Sequence, residues 1–433
     1  MSKKSEILII AWAAPPIMGS HGLRVANFAK YLQKLNWNVN ILTIKATPEF
    51  PLYDENSLKY IKHSNKVFRV FPGFFNKIFY KKFNSINKPK DESILSDFLG
   101  KIRSKVGSAL IELNICRIFD WTPFAIIKGL QVINKKNMVI LSSGKSDPHF
   151  IAYFLKRFNK NLIWVADYGD PWVFEPEYKE QHSNIRFHIE HFLEKKLLKY
   201  MDLITVTTNE TKKEYLHNYL FLKSEKIKVV PMGASTEYIK QIKSNKSNKF
   251  RIIYAGSIYH TRNINPFLNA LEQLFSSKEH QDNIEVIFVG NIETSHKLKI
   301  KSKNISKNMK FLDFVPYEES ISLMKGSDVL LSFGNTGGSQ VPGKLFDYIS
   351  LKRPVLWIKG DENDPALKYI QNLNFVIISG NNELEIYKSI LELYNLYINK
   401  KTGKLFDSYK ELEISWESRV KKLENFIGDL IDK

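Results

Sequence analysis

A stretch near the end of the chain holds the residues whose types and spacing are most specific to one chemistry. The letters G-G-S-Q-V-P-G-K-L-F-D-Y-I-S-L-K-R-P occupy residues 337–354, and the apolar V-L-W-I follows at 355–358. This order predicts a glycine loop, a helix that begins near Lys344 and ends before Pro354, and a short buried strand. Such a loop offers backbone N–H groups and a positive helix end to a phosphate, and a carboxylate one turn into the helix can bind sugar hydroxyls. The stretch therefore predicts a site for a nucleotide-linked ligand.

The eight letters at 341–348 fit the pattern V-P-x-K-[LF]-[FY]-[ED]-Y, which resembles the donor-binding motif of retaining glycosyltransferases of family four. Those enzymes have the two-domain GT-B fold, and two glutamates eight positions apart contact the sugar and the nucleotide ribose. Ser339 stands here at the first position and Asp347 at the second. The resemblance implies that Lys344 neutralises the diphosphate, that Asp347 holds the ribose and that the loop surrounds the sugar. The loop residues implied in donor binding are Gly337, Gly338, Ser339, Gln340 and Val341.

The segment Y-A-G-S-I at 254–258, with Arg262 shortly after it, resembles the opening of the donor domain in the same family. Relatives carry an arginine after the glycine and a lysine five residues on, which offset the charge of the departing diphosphate. Ser257 and Arg262 occupy those places, so the resemblance leaves Arg262 to make a bidentate phosphate contact. Relatives also read the base through main-chain groups just past a later strand. The donor-binding residues implied by these segments are Gly256, Ser257, Val315 and Pro316.

The loop P-P-I-M-G-S-H-G-L-R at 15–24 resembles the P-P-x-x-G-G-x-G-x-R loop of the family's first domain. Glycine lets this backbone approach the sugar phosphate and the acceptor, because no side chain intervenes. The acceptor-side residues implied are Gly19, Ser20, His21 and Gly22, with Ser20 in place of a glycine. Three roles stay open for His21, which are an acid, a ligand for the acceptor and a residue that packs the loop.

Two further segments are S-S-G-K-S-D-P-H at 142–149 and A-D-Y-G-D-P-W at 166–172. They resemble S-S-G-x-x-x-x-H and A-D-F-R-D-P-W in a bacterial subset of the family that builds surface polysaccharides. A carboxylate at the carboxyl end of a strand faces the crevice where ligands of α/β proteins bind. We therefore expect Asp170 or Asp167 to orient the acceptor hydroxyl, with His149 on the same side. The relatives' arginine is Gly169 here, so a positive contact from that position is lost.

These aspartates do not form a metal-binding pattern. Asp167 and Asp170 are three positions apart, and no cysteine or histidine cluster accompanies them. We expect catalysis without a metal and without a cofactor, with a nucleotide-diphosphate sugar as substrate. The single cysteine, Cys116, excludes an internal disulfide and a cysteine-based zinc cluster.

Two cycles of apolar strands and amphipathic helices divide the sequence. The first opens with a strand at 7–11, a glycine loop, a helix at 22–35 and a strand at 39–44, and the second opens at 250–254. We predict an α/β protein of GT-B type with two Rossmann-like domains facing across a cleft. The predicted boundaries are 1–240 for the acceptor-side domain, 250–410 for the nucleotide-sugar-binding domain, and 411–433 for a terminal helix that crosses back to the first domain as in GT-B relatives. A polar run at 243–249 is the expected linker, and a terminal helix that packs on the second domain is the alternative.

Between residues 71 and 133 the alternation is interrupted by aromatic residues among lysines, including Lys77, Lys81 and Lys82. This composition suits an interfacial segment on anionic lipid. An inserted helical layer whose aromatic side chains enter the core is the other interpretation, and the sequence leaves both open.

The 433 residues include 64 lysines and arginines against 45 aspartates and glutamates, which gives a net charge of +19. The length predicts two domains, and the charge favours anionic partners such as nucleotide phosphates or an acidic membrane surface. We expect no nucleic-acid partner, because no recognition-helix, RNA-binding or zinc-finger pattern accompanies the charge. No apolar run reaches about 18 residues, so we expect a cytoplasmic protein that is at most peripheral at the inner membrane face.

The motifs together predict a retaining glycosyltransferase that moves a sugar from a nucleotide diphosphate to an acceptor hydroxyl. The expected acceptor is a polyprenyl-linked glycan in surface polysaccharide assembly. Two alternatives remain, which are a nonhydrolysing sugar-nucleotide epimerase of the same architecture and a catalytically silent nucleotide-sugar-binding protein.

Overall fold

The computed structural model describes residues 6–74, 120–133, 138–174, 178, 182–258, 263–290, 292, 305–406 and 413–432. Arg262, Cys116 and most of the segment at 71–133 lie outside these residues. The chain divides into two compact units. Unit 1 comprises Met1–Pro231 together with Trp416–Lys433, and unit 2 comprises Met232–Ser415.

Unit 1 contains a parallel sheet whose seven described strands run in the order β3-β2-β1-β4-β5-β6-β7. The strands are β1 (Glu6–Ile10), β2 (Asn38–Ile44), β3 (Lys66–Val70), β4 (Val139–Ser143), β5 (Ile163–Tyr168), β6 (Leu203–Val206) and β7 (Ile227–Val229). The apolar run of β1 has no exposed surface at Ile7, Leu8, Ile9 or Ile10, because helices cover both faces of the sheet. The sheet therefore forms the centre of unit 1.

The helices of unit 1 lie on its two faces. They are α1 (Ser20–Lys34), α2 (Thr122–Val132), α3 (Asp147–Phe158), α4 (Asn184–Leu198) and α5 (Asn209–Asn218), and the terminal helix α13 (Trp416–Ile431) also belongs to this unit. Short 3₁₀ helices occupy Glu55–Ile61 and Ser224–Lys226. Helix α13 packs on α1, where the ring centroids of Phe28 and Trp416 are 6.2 Å apart in an edge-to-face contact.

Unit 2 repeats the arrangement with a parallel sheet whose described strands run in the order β10-β9-β8-β11-β12-β13. They are β8 (Phe250–Ala255), β9 (Ile284–Val289), β10 (Met309–Leu312), β11 (Val329–Phe333), β12 (Val355–Ile358) and β13 (Val376–Ser379). The helices are α6 (Thr236–Gln241), α7 (Asn265–Leu274), α8 (Lys278–Asn283), α9 (Tyr317–Lys325), α10 (Lys344–Leu351), α11 (Leu367–Ile370) and α12 (Glu383–Ile398), with 3₁₀ turns at Ser306–Asn308 and Thr402–Phe406. Two parallel sheets with alternating helices confirm the predicted α/β class with two Rossmann-like domains.

The predicted loop, helix and strand near the end of unit 2 are confirmed. Helix α10 begins at Lys344 and ends where Lys352 adopts a left-handed conformation with a φ of 51°. Pro354 follows, and its ring disfavours helical geometry in the residue before it. The next four residues form β12, which is fully buried.

The structure divides the units earlier than the sequence suggests. The polar run at 243–249 lies within unit 2. There the Asn245 N–H donates to the Ser322 carbonyl at 3.0 Å, and the Ser322 hydroxyl donates to the Lys243 carbonyl at 2.8 Å. These hydrogen bonds hold the run against α9, so its polar composition reflects backbone partners and not an open linker.

Candidate functional site

The predicted donor residues of unit 2 collect at the edge of the sheet where its strands end. Gly256 follows β8 and donates its N–H to the Val289 carbonyl at 2.7 Å, and Gly290 follows β9 and donates to the Leu312 carbonyl at 2.9 Å. Val315 and Pro316 follow β10 and are half-buried. Since carboxyl ends of parallel strands meet at one edge, this is the ligand-binding edge of an α/β sheet.

Lys344 crosses the end of β8 from the first turn of α10. Its Nζ donates to the Ala255 carbonyl and lies 4.3 Å from the centroid of the Tyr254 ring. Gly256 has a φ of 136°, and a Cβ at this position would lie 1.7 Å from the Lys344 Nζ. Glycine is thus required here so that the lysine amine can reach the strand end.

The glycine loop leads into the same region. Gly337 and Gly338 have φ values of 62° and 123°, in the range that favours glycine. The Gly337 N–H donates to the Asp361 carboxylate at 2.5 Å, and the Asn335 amide donates to the Gln340 carbonyl at 3.0 Å. Ser339 and Val341 are buried beneath the loop, with 7% and 8% of their surface exposed. The loop is therefore anchored by two hydrogen bonds and two buried side chains.

Asp347 lies one turn along α10 from Lys344. Its side chain is 7% exposed and accepts a hydrogen bond from the Tyr317 hydroxyl at 3.0 Å. Burial raises the pKa of Asp347 to about 7, although the hydrogen bonds from Tyr317 and from the Ser235 backbone oppose that rise. The carboxyl group therefore changes protonation near neutral pH.

Three tyrosines that support this site were not predicted from the motifs. Tyr317 binds Asp347, Tyr254 lies under Lys344, and the Tyr348 hydroxyl links β8 to β11 by accepting from the Ala255 N–H at 3.3 Å and donating to the Leu331 carbonyl at 3.0 Å. Tyr254 and Tyr348 lie within the two motifs, close to Gly256 and Asp347. That proximity in sequence was the signal from which their roles could have been predicted.

The predicted acceptor side of unit 1 is built around a buried ion pair. The Arg24 guanidinium donates from Nε to Asp167 Oδ2 at 2.9 Å and from Nη2 to Asp167 Oδ1 at 2.7 Å. Neither side chain has exposed surface. Burial alone would raise the pKa of Asp167, but Arg24 and the hydrogen bonds from Thr205 and Ser143 outweigh burial and lower it. Asp167 is therefore an ionised structural anchor that joins α1 to β5.

The hydrogen bonds of Asp167 extend to the neighbouring strands. The Ser143 hydroxyl at the end of β4 donates at 2.7 Å, as does the Thr205 hydroxyl on β6. His21 in the first turn of α1 lies within 3.4 Å of the Ser143 hydroxyl through its Nε2. The structure therefore brings Asp167 and His21 together through Ser143, which sequence reasoning treated only as part of a motif.

The loop before α1 contributes backbone to this edge. Gly19 has a φ of 104° and precedes α1. A Cβ at Gly22 would lie 2.2 Å from the Ile17 carbonyl oxygen, and a Cβ at Gly169 would lie 3.1 Å from His21 Nδ1. Gly169 stands where the relatives have an arginine, and His21 fills the space beside it. Ser20 is exposed and Asp170 is half-buried at this same edge.

His149 lies deeper than the motif suggested. Its side chain has no exposed surface, its Nδ1 is 2.8 Å from the Ser142 hydroxyl, and its Nε2 is 3.0 Å from the Gly144 carbonyl oxygen. Burial lowers the pKa of His149 to about 3, so the ring is neutral. In this structure His149 holds the turn between β4 and α3. Arg262, the other residue expected to act on substrate charge, lies outside the described residues.

A sequence comparison relates part of unit 2 to a known family. Residues 235–338 match the family described as Glycosyl transferases group 1. The match lies within unit 2 and ends in the glycine loop, before Lys344. The chain is thus a two-unit α/β protein that carries a region of the glycosyltransferase group 1 type.

Two relatives extend the similarity along the chain. An uncharacterized glycosyltransferase of Methanocaldococcus jannaschii is 22% identical over 285 residues, which cover 64% of this chain and 70% of that protein. The capsular polysaccharide biosynthesis glycosyltransferase CapH of Staphylococcus aureus is 27% identical over 201 residues, which cover 46% of this chain and 54% of that protein. Both relatives carry the name glycosyltransferase.

Solved structures share the fold over nearly the whole chain. WaaG, a glycosyltransferase involved in lipopolysaccharide biosynthesis, aligns with a TM-score of 0.57 at 12% identity and covers 97% of this chain and 99% of its own. The UDP-GlcNAc 2-epimerase from Neisseria meningitidis bound to UDP-GlcNAc aligns with a TM-score of 0.55 at 13% identity. The alignment covers 98% of this chain and 100% of that structure. At such low identity these likenesses establish a GT-B-like fold.

Two kinds of feature, a cluster of metal ligands and a membrane-spanning helix, are absent from the described residues. No three histidine, cysteine, aspartate or glutamate side chains gather there as a bound metal ion would require. No helix in the same part of the chain is both long enough and apolar enough to cross a bilayer. Metal independence and membrane association stay predictions.

Proposed function

We propose that this protein transfers a sugar from a nucleotide diphosphate to an acceptor hydroxyl with retention of anomeric configuration. One observation carries the proposal, which is the Lys344 amine held at the end of β8 with Asp347 one turn along the same helix. A cation and a hydroxyl-binding carboxyl at this spacing fit the diphosphate and the ribose of one nucleotide. The match to a glycosyltransferase family over residues 235–338 supports the same ligand class.

The chemistry asked of unit 2 is positioning and charge stabilisation. Lys344 has three N–H donors, so it can keep the Ala255 carbonyl and still bind a phosphate oxygen. The loop at 337–341 supplies backbone N–H groups around the sugar, and Arg262 adds a second cation by the family resemblance. The leaving diphosphate accepts the proton of the attacking hydroxyl on the same face of the sugar, so the protein needs no nucleophile of its own.

The acceptor-side edge of unit 1 supplies the remaining groups of the proposal. Asp170 and His21 are the half-buried titratable side chains there, and we propose that they orient the acceptor hydroxyl. Asp167 and His149 are buried with their polar atoms bonded, so we assign them the role of positioning residues. The glycine loop at 19–22 lets the acceptor approach the backbone.

The finer substrate assignment rests on the chain's relatives. CapH is a capsular polysaccharide biosynthesis glycosyltransferase and WaaG is involved in lipopolysaccharide biosynthesis, and both support an acceptor in surface polysaccharide assembly. A polyprenyl-linked glycan is the acceptor we propose, with the protein working without metal at the inner membrane face. A chelator should then leave turnover unchanged.

Lys344→Ala tests the donor site. The variant should lose at least about tenfold in nucleotide-sugar affinity, because a charge-assisted phosphate contact is removed. The measurement is thermal stabilisation by a panel of nucleotide sugars, since a bound ligand raises the melting temperature. Lys388→Ala, at an exposed lysine on α12, is the matched control and should bind as the parent does. If the same nucleotide sugar stabilised the parent and Lys344→Ala equally, Lys344 would have no role in donor binding.

Epimerisation is the second candidate, and the shared fold with the UDP-GlcNAc 2-epimerase is the observation that keeps it. A transferase releases free nucleotide diphosphate when an acceptor is added, whereas an epimerase interconverts the nucleotide sugar without an acceptor. A silent binding protein would do neither while still being stabilised by the sugar. One assay that follows both nucleotide release and sugar configuration separates the three.

A further inference from the structure

Helix α4 buries three charged side chains together with Leu197 and Leu198, and it exposes three apolar side chains. Its buried side carries Arg186, Glu190 and Glu194, while Ile185, Ile189 and Phe192 face solvent with 68%, 44% and 65% of their surface exposed. Soluble helices ordinarily bury their apolar residues and expose their charges. An explanation is needed both for the buried carboxylates and for the exposed apolar residues.

The buried carboxylates fix the rotation of α4. Glu190 accepts hydrogen bonds from the Trp172 indole at 2.8 Å, the Tyr178 hydroxyl at 2.5 Å and the Arg186 Nε at 3.1 Å. Turning the helix to bury its apolar residues would break these bonds and those of Glu194, which would leave polar groups unpaired. The outward position of the apolar residues is thus imposed by a satisfied network beneath the helix.

Glu194 has a matching arrangement one turn later. The Tyr215 and Tyr219 hydroxyls each donate to its carboxylate at 2.7 Å. Tyr215 lies on α5 and Tyr219 directly follows it, so α5 and its last turn hold α4 in place. The exposed apolar residues therefore belong to a rigid surface.

The three exposed apolar residues of α4 lie on one side of the helix, because Ile185, Ile189 and Phe192 are spaced at i, i+4 and i+7. Adjacent elements expose apolar side chains as well. Phe154 and Phe158 on α3 are 42% and 71% exposed, and the rings of Tyr153 on α3 and Tyr200 after α4 are in contact with a centroid distance of 5.1 Å. An exposed apolar stripe, unlike scattered residues, marks an interaction surface.

The exposed charges at the carboxyl end of α4 are positive. They belong to Lys195, Lys196 and Lys199. The carboxylates of α3 and α4, which are Asp147, Glu190 and Glu194, are at least 94% buried, with exposures of 6%, 1% and 0%. The outward side of α4 thus combines apolar side chains with three lysines and carries no exposed carboxylate of its own.

We propose that the outward face of α4, formed by Ile185, Ile189, Phe192, Lys195, Lys196 and Lys199, is a docking surface for an anionic lipid bilayer. The apolar side chains enter the boundary between headgroups and acyl chains, and the lysines bind the anionic headgroups. Charge complementarity favours this partner, because both carboxylates of α4 are buried and its three exposed lysines suit an anionic surface. The proposal deepens the proposed function, since it fixes where the enzyme meets a membrane that holds its acceptor.

The experiment measures binding of the full chain to vesicles of phosphatidylcholine with and without phosphatidylglycerol by co-sedimentation. The parent should bind the anionic vesicles and bind the neutral ones at least about tenfold more weakly. The variant Ile189→Ser/Phe192→Ser and the variant Lys195→Gln/Lys196→Gln should each weaken binding to anionic vesicles by about tenfold or more. Because all four side chains face outward, thermal melting should be unchanged.

Matched controls lie on unit 2. Leu384→Ser/Ile398→Ser removes exposed apolar residues, with exposures of 57% and 50%, and Lys388→Gln/Lys401→Gln removes exposed lysines. Both controls should bind vesicles as the parent does. The proposal would be overturned if the two α4 double variants bound anionic vesicles like the parent, or lost no more binding than the unit 2 controls.

Two further results would also overturn the assignment to lipid. One is concentration-dependent self-association of the parent that Ile189→Ser/Phe192→Ser abolishes, since the face would then bind a second copy. The other is loss of vesicle binding on reversing the charges of Lys77, Lys81 and Lys82 while the α4 variants retain it. Thermal stabilisation by nucleotide sugars is measured without vesicles, so failure of the proposed function is distinguished from failure of this surface.

Discussion

At the scale of single residues, the proposed donor site depends on Lys344, whose side chain passes over Gly256. A Cβ at Gly256 would lie only 1.7 Å from the Lys344 Nζ, so the amine occupies space that is open only beside a glycine. The nearby Asp347 is buried and has a pKa raised to about 7. In the proposed site the two side chains would thus present to a nucleotide an amine and a carboxyl group whose charge depends on pH.

Asp347 predicts a pH dependence of nucleotide-sugar binding. Ribose hydroxyls donate to a carboxylate, so binding requires the ionised form, and protonation below the pKa weakens it. Affinity should fall by about tenfold from pH 8 to about pH 6, because each pH unit below the pKa reduces the ionised fraction tenfold. Titration calorimetry with a nucleotide sugar measures this slope.

The variant Asp347→Asn isolates the residue responsible. Its affinity should be lower than that of the parent at pH 8 and nearly constant across the same range, because the amide does not titrate. Asp282→Asn, at an exposed aspartate of α8, should keep the parent's slope. A slope that survives in Asp347→Asn would assign the titration to another group.

At the scale of elements, α4 links a buried acid to the stability of unit 1. Burial raises the pKa of Glu194 to about 7, although the hydrogen bonds from Tyr215 and Tyr219 oppose it. The folded state thus keeps its proton up to about pH 7, whereas the unfolded chain loses it near pH 4.5. The contribution of this group to stability is therefore largest at low pH and declines as pH rises between these values.

Glu194→Gln should remove that decline. The parent should lose about 1.4 kcal/mol of unfolding free energy for each unit by which the Glu194 pKa exceeds its unfolded value. The neutral variant should show a flatter curve from about pH 5 to pH 8 in urea denaturation, and Glu225→Gln, at an exposed site, should follow the parent. Parallel curves for the parent and Glu194→Gln would show that Glu194 is ionised throughout.

Local signals in the sequence predicted some elements and missed others. Helix α10 was predictable because a glycine loop, an apolar period and Pro354 mark its ends within one short stretch. The pair of Arg24 and Asp167 joins residues 143 positions apart, so no local pattern reveals it. The orientation of helix α4 depends on Tyr215 and Tyr219 of a later segment, which periodicity does not register. The edge strands β3 and β13 have no counterpart in the predicted elements, and β3 carries Arg69, which donates to the Pro15 carbonyl at 2.8 Å from a distant part of the chain.

At the scale of the whole molecule, unit 1 is made from two separated parts of the chain. Helix α13 contributes Trp416, Val420, Leu423 and Ile427, each with no exposed surface, to the face of α1. The Arg24 guanidinium carbon also lies 6.0 Å from the Trp416 ring centroid, so the helix covers the buried ion pair. Helix α13 is thus a structural part of unit 1.

Truncation after Ser415 tests that dependence. Four buried apolar side chains contribute about 1.5–3 kcal/mol each, which is comparable to the whole stability of a domain. We expect unit 1 to unfold or aggregate while unit 2 keeps a cooperative melting transition, as followed by calorimetry and limited proteolysis. Removal of residues 432–433 alone is the control and should change little. If the chain truncated after Ser415 kept the melting transitions of both units, unit 1 would be shown to fold without α13.

The position of α13 in the chain also governs the order of events during synthesis. A ribosome completes the sheet of unit 1 and then all of unit 2 before the segment that seals α1 emerges from the exit tunnel. During that interval the side of α1 at Phe28, which Trp416 covers in the complete fold, has no partner from α13. We expect slower translation within unit 2 to lengthen this interval and to lower the folding yield of unit 1.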